Sequence, residues 1–173
     1  MELGDSITVF GDWFFIHFVE NPGMAFGWEF GGEIGKYALT IFRIIAVIAI
    51  TIYIYKISRK KTSNILLFSL SLILAGAIGN IIDSLFYGLI FSESNYFQLA
   101  TLFPPSGEHY AGFMQGKVVD MFYFPIIEGN YPNWIPWLGG DSFIFFRPIF
   151  NVADASITTG VILILLFQKK LFK

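Results

Sequence analysis

The sequence predicts a membrane all-α helical bundle of three spanning helices that carries a small extracytoplasmic β-sheet and an amphipathic lid. Three observations lead there. The 173 residues are 55% hydrophobic and only 14% charged, with a mean hydropathy of +0.63, whereas about a quarter of a soluble domain is charged. Three stretches, residues 37–57, 65–91 and 148–167, are each apolar over about the 20 residues that a helix needs to cross hydrocarbon. The segments 1–36 and 92–147 between and before them are more polar, yet crowded with Phe, Tyr and Trp.

Each apolar stretch must be helical, because hydrocarbon offers its backbone no hydrogen-bond partners. Orientation follows from the cations. Of the 11 Lys and Arg, seven lie either between the first two spans or after the last one (Lys56, Arg59, Lys60, Lys61, Lys169, Lys170 and Lys173). The positive-inside rule puts those ends in the cytoplasm. Residues 1–36 and 92–147 then face outward from a multi-pass membrane protein. One membrane-embedded domain over 1–173 is expected, as a monomer among membrane lipids. Nothing basic enough to attract nucleic acid is present, and with Cys 0 there are no disulfides, thiolate metal sites or Cys nucleophiles.

The N-terminal segment alternates like a pair of strands turned at Gly11-Asp12, with Ile7, Val9, Trp13, Phe15 and His17 expected on one face. Asn21-Pro22-Gly23 is a turn signal. The 92–147 segment holds Phe97, Phe103, Tyr110, Phe122, Tyr123, Phe124, Trp134 and Trp137. That composition suits an element resting on the bilayer surface.

Polar groups inside spans are costly and so mark function. In "LAGAIGNIIDSLFYG", Gly76, Asn80 and Asp83 are spaced i, i+4, i+7 and share one helical face. In "RPIFNVADASITTG", Asn151, Asp154 and Thr158 form a second stripe, and Asp120 lies in the apolar "GKVVDMFYFP". Two carboxylates that approach in a dry cleft cannot both ionise easily. Such a pair can polarise a water and a peptide carbonyl together, which is aspartic-peptidase chemistry without metal or cofactor. Other readings of the same residues are open at this point. Asp154 could pair with Arg147 and Asp120 with Lys117, and a carboxylate-lined ion carrier or a noncatalytic scaffold would also place Asp near spans. Arg43, close to the outer end of its span, is expected to snorkel toward the headgroups. No His- or Cys-rich spacing supports a zinc site, and no G-x-S-x-G supports a serine peptidase.

The runs "ENPGMAFG", "AGAIGNIID", "KVVDMF" and "FNVADASI" resemble, in this order, the lipoprotein signal peptidases (signal peptidase II) over nearly the whole chain. The resemblance implies a four-helix fold and an intramembrane aspartyl endopeptidase with Asp120 and Asp154 as its catalytic pair. It implies substrate binding by Asn21, Gly23, Gly76, Asn80, Asp83 and Asn151. The implied substrate is a prolipoprotein with a diacylglyceryl-modified Cys, cleaved on the N-terminal side of that Cys. The family is the target of the cyclic peptide globomycin. Three departures stand out. Ser84 replaces the family's Arg after "GNxxD", leaving Arg43 or Arg147 to supply a guanidinium. The stretches Asp83 to Asp120 and Asp120 to Asn151 are longer than usual and read as lid insertions. The family's first membrane helix, which carries Asp and Lys, would precede Met1, and an upstream apolar segment is expected.

Overall fold

The computed structural model describes residues 1–23 and 32–171. Met24 to Gly27 of the "ENPGMAFG" run therefore lie outside the described residues. Three helices carry the apolar stretches: α1 (Gly32–Ser58), α2 (Asn64–Ile90) and α3 (Val152–Leu171). All three are long and apolar enough to cross a membrane. Around them stand the strands β1 (Ser6–Phe10), β2 (Phe14–Asn21), β3 (Val118–Tyr123), β4 (Ile127–Asn130), β5 (Ser142–Phe145) and β6 (Ile149–Phe150).

The helices have almost no apolar interior of their own. Ile41, Phe42, Ile45, Ile48 and Ile52 of α1 are exposed, as are Val161, Ile162, Leu165 and Leu166 of α3. Hydrocarbon matches such surfaces, so burial among helices must come from close backbone packing and not from solvent exclusion. Glycines make that approach possible where α2 crosses α3. A Cβ on Gly76 would collide with the Ala153 carbonyl, and one on Gly160 with the Ser69 carbonyl. The small polar residues inside the bundle satisfy themselves locally. Buried Thr40 and Ser69 donate to the carbonyls of Lys36 and Ile65, at 3.0 and 2.8 Å.

The third helix starts later than its hydropathy suggests, at Val152 and not at position 148. Ile149 and Phe150 form β6, paired with Tyr123 and Phe122 of β3. Apolar content alone does not distinguish a short buried strand from a helical turn. The first helix correspondingly begins earlier, at Gly32.

The main sheet is antiparallel in the order β1-β2-β3-β6. The expected facing of the first hairpin is corrected by its register. Ile7 pairs with Ile16, while Phe15 and His17 pair with Thr8 and Ser6, so Ile7 lies on the opposite face from Phe15 and His17. Opposed residues share a face, and a two-residue turn at Gly11-Asp12 sets odd positions of β1 opposite even positions of β2; the register shift lies closer to the turn, between Thr8 and Phe10. In β3 the alternation matters most. Val118 and Asp120 are buried on one face, and Val119 and Met121 point to the other.

Residues 92–147 are not one lid. Residues 92–116 run irregularly beside the outer end of α2, tied by single bridges such as Ser92↔His109. Then β4 and β5 form a separate hairpin. Its connecting loop is closed by hydrogen bonds from Tyr131 N–H to the Asp141 carbonyl and from Gly140 N–H to the Tyr131 carbonyl, both 2.9 Å. It presents Trp134 and Trp137 outward, Trp137 at 99% exposure.

Candidate active site

Four chain segments converge where the outer end of the bundle meets the sheet. Asp120 comes from β3, Asn80 from α2, Asn21 from the end of β2, and Asn151 and Asp154 from the start of α3. The local logic of "FNVAD" is that of a helix start. Asn151 precedes the helix and its Oδ1 accepts the Asp154 N–H at 3.0 Å, while Asp154 Oδ2 accepts the Asn151 N–H at 3.3 Å. This is a reciprocal capping box, and it fixes both side chains before any substrate arrives.

Because the Asn151 oxygen faces its own helix, its amide hydrogens face away. One goes to Asp120 Oδ1 at 2.8 Å and the other to Asn80 Oδ1 at 3.2 Å. Asn80 in turn donates to Asp154 Oδ1 at 2.8 Å. Asn21 donates to Asp120 Oδ2 at 2.9 Å, and its own oxygen is occupied by the Gly23 N–H at 2.8 Å. Asp154, Asn80 and Asn151 thus close a ring of hydrogen bonds, to which Asp120 is tied through Asn151, with a third amide, Asn21, also on Asp120.

All the side chains that bind these acids are neutral. Among the described residues neither carboxylate forms an ion pair, because Lys117 pairs with Glu20 at 2.6 Å. The alternatives of Asp120 with Lys117 and Asp154 with Arg147 are therefore not what the structure shows. Neutral donors thus orient both carboxylates. Asp120 is nearly inaccessible, at 4% exposure. Burial raises its pKa above the ordinary carboxylate range, with the nearby Asp154 and Asp83 charges adding to the rise and the Asn21 and Asn151 hydrogen bonds opposing it.

The remaining sequence candidates fall outside the ring. Asp83 is directed at Tyr87 and the Val119 backbone. Gly76 serves the α2–α3 contact at Ala153. Gly23, at φ 104°, shapes the turn that holds Asn21. A cavity of about 600 Å³ lies on the other face of β3, bounded by Phe18, Glu20, Val119 and Met121 of the sheet and by Asp83 and Tyr87 of α2. Asn80 and Asn151 reach it, but neither Asp120 nor Asp154 lines it.

Sequence reasoning left one feature open between two readings and missed another. Arg43 does not snorkel: its guanidinium turns inward to the Gly23 carbonyl and to Ser84 Oγ, the latter at 3.4 Å. Ser84 therefore has a guanidinium beside it, delivered from α1 and not from Arg147. The second feature is the Glu20–Lys117 pair, which gathers Ser94 onto Glu20 and stacks Lys117 over the Tyr110 ring at 5.4 Å. Tyr110 accepts the Lys117 N–H at 2.7 Å, and burial pushes its own pKa up to about 12. The cluster fastens the 92–116 segment to β2 and β3. An Arg inside an apolar span and the Ser84 replacement were the sequence signals for the first, and nothing local announced the second.

The geometry can be set beside known proteins. The family model for signal peptidase (SPase) II matches residues 1–169. A lipoprotein signal peptidase of Porphyromonas gingivalis is 54% identical over 166 residues, covering 95% of this chain and 71% of that protein. One from Amoebophilus asiaticus is 40% identical over 172 residues, covering 98% and 68%. A bacterial membrane enzyme solved by the in meso method at 1.9 Å is 28% identical with a TM-score of 0.57, covering 96% of this chain and 76% of that one. A family match along almost the entire chain, on a fold of spanning helices with an appended sheet, leaves one conclusion: this chain belongs to the signal peptidase II family of intramembrane aspartyl endopeptidases, which cleave signal peptides.

Proposed function

We propose that Asp120 and Asp154 are the catalytic pair, and that the substrate is a prolipoprotein whose Cys already carries diacylglycerol. The observation that carries this reading is the network itself: two carboxylates bridged by shared neutral amides, with no cation bonded to either among the described residues. With one proton between them, the ionised member accepts a proton from an attacking water while the protonated member donates to the scissile carbonyl. Collapse of the tetrahedral intermediate passes a proton to the leaving amine and restores the starting state. Asn151 has both amide hydrogens and its oxygen engaged, so its role is to orient the acids. Asn21 and Asn80 each keep an amide hydrogen outside these bonds, and those suit the backbone of an extended peptide, which needs partners in a dry site.

Residues 1–173 act as one domain in this reading, with the sheet and hairpin outside and the Lys-rich 59–61 turn and C-terminus in the cytoplasm. A reporter fused after Lys173 should report the cytoplasm, and one inserted near Gly107 the outside; the reverse pair would overturn the orientation. For the activity, the chain in detergent is incubated with a diacylglyceryl prolipoprotein and with its unlipidated form. Mass spectrometry should find only the lipidated one cut, immediately N-terminal to the modified Cys. Equal cutting of both, or cutting elsewhere, would remove the substrate assignment.

A further inference from the structure

Arg43 lies inside a membrane span, where a cation is expensive and calls for a function. Its guanidinium bridges two elements. One nitrogen donates to the carbonyl of Gly23, at the end of the β2 turn, and the other to Ser84 Oγ on α2. Ser84 can accept because its own hydroxyl hydrogen goes to the Asn80 carbonyl at 2.9 Å. At the other end, the Gly23 N–H holds Asn21 Oδ1, which aims the Asn21 amide at Asp120. Gly23 also makes room for the contact, since a Cβ there would come within 2.9 Å of Arg43 Nη1.

From this chain of contacts we propose that Arg43 is a positioning residue for the carboxylate pair. It clamps the 21–23 turn against α2, so that Asn21 keeps its hydrogen bond to Asp120. The inference rests on the reading of Asp120 and Asp154 as catalytic. Two diverging acceptors on different elements suit a planar fork of donors, and an ammonium cannot serve both from one stem.

The test compares wild type with Arg43→Ala, Arg43→Lys, Asp120→Asn and, as a control, Arg59→Ala, which alters an exposed cation near the opposite end of α1 that stacks on Tyr55. Cleavage of a lipidated peptide and hydrogen–deuterium exchange are both followed. Arg43→Ala should lower kcat about 100-fold while KM moves only about threefold, the signature of a misaligned reacting group. The alkaline limb of its pH profile should move upward. Loss of the Asn21 hydrogen bond favours protonated Asp120, with Asp154 and Asp83 the charged groups acting on it. Exchange should quicken in residues 19–23 and stay unchanged through β3 and α2. Arg43→Lys, keeping the charge and one hydrogen bond, should fall between, and Arg59→Ala should match wild type. Undiminished kcat in Arg43→Ala would overturn the proposal. So would lost activity with faster exchange throughout and an unmoved pH profile, because Arg43 would then be supporting the fold alone. Wild-type rates in Asp120→Asn would instead remove the catalytic reading of the pair, whatever Arg43 does.

Discussion

Asp120→Asn and Asp154→Asn should each lower cleavage by about 10³-fold or more, since in the proposed mechanism each removes a general acid–base group, whose contribution is typically about 10²–10⁴. The wild-type profile should be bell-shaped. Its two apparent pKa values belong to the pair as a unit, because one proton is shared between coupled sites. Retained cleavage in both variants would remove the aspartyl mechanism. Asp120 should also leave a mark on stability. Its pKa is raised in the folded chain, by burial first and by its acidic neighbours. In the window between its unfolded and folded values the native state holds a proton that the unfolded state has released. Stability contributed by this group therefore falls as pH rises through the window. The melting temperature of Asp120→Asn relative to wild type should accordingly climb from acid toward neutral pH. A flat or falling difference would contradict the burial of the charge.

The second large effect is expected at Asn151, which does two jobs with one side chain. Asn151→Ala removes the cap of α3, at about 1 kcal/mol, together with the hydrogen bonds to Asp120 and Asn80. Thermal unfolding should shift down and kcat should fall about 10²-fold or more, as reacting groups lose alignment. Asn151→Ser separates the two jobs. A Ser oxygen can still cap the helix, so stability should largely return, but it cannot also span the distance to both partners, so kcat should stay low. A Ser variant that cleaves at the wild-type rate would show that the ring is dispensable.

Much of the architecture was legible because membrane physics is local. Three apolar runs of sufficient length could be read directly as spanning helices. The spacings of Asn80 with Asp83 and of Asn151 with Asp154 placed polar groups on helix faces before any coordinates. Boundaries were harder where one composition serves two structures. Ile149 and Phe150 read as helix but pair with β3, and the expected facing of Ile7 overlooked that a two-residue turn sets odd positions of one strand opposite even positions of the other. The 92–147 stretch was foreseen as a small sheet and an amphipathic lid, with insertions on either side of Asp120. It separates into a fastened 92–116 segment and a detached hairpin because strand pairing is a choice among distant partners.

By itself, then, the sequence determined the solvent, the number of spans in this chain and the residue types available for chemistry. Hydropathy, cation bias and helical spacing are properties of a few neighbouring residues, and they need no knowledge of the rest. Only the tertiary structure decided who holds whom. Asn21 reaches Asp120 across 99 positions of chain, and Asn80 reaches Asp154 across 74. Arg43 turns inward because a carbonyl from the β2 turn and a hydroxyl from α2 meet beside it. Glu20 takes Lys117, and so leaves the carboxylates to neutral amides. Each of these is a competition between donors and acceptors brought together by folding, and a short hydrogen bond in a dry site outweighs any preference that the local sequence could express.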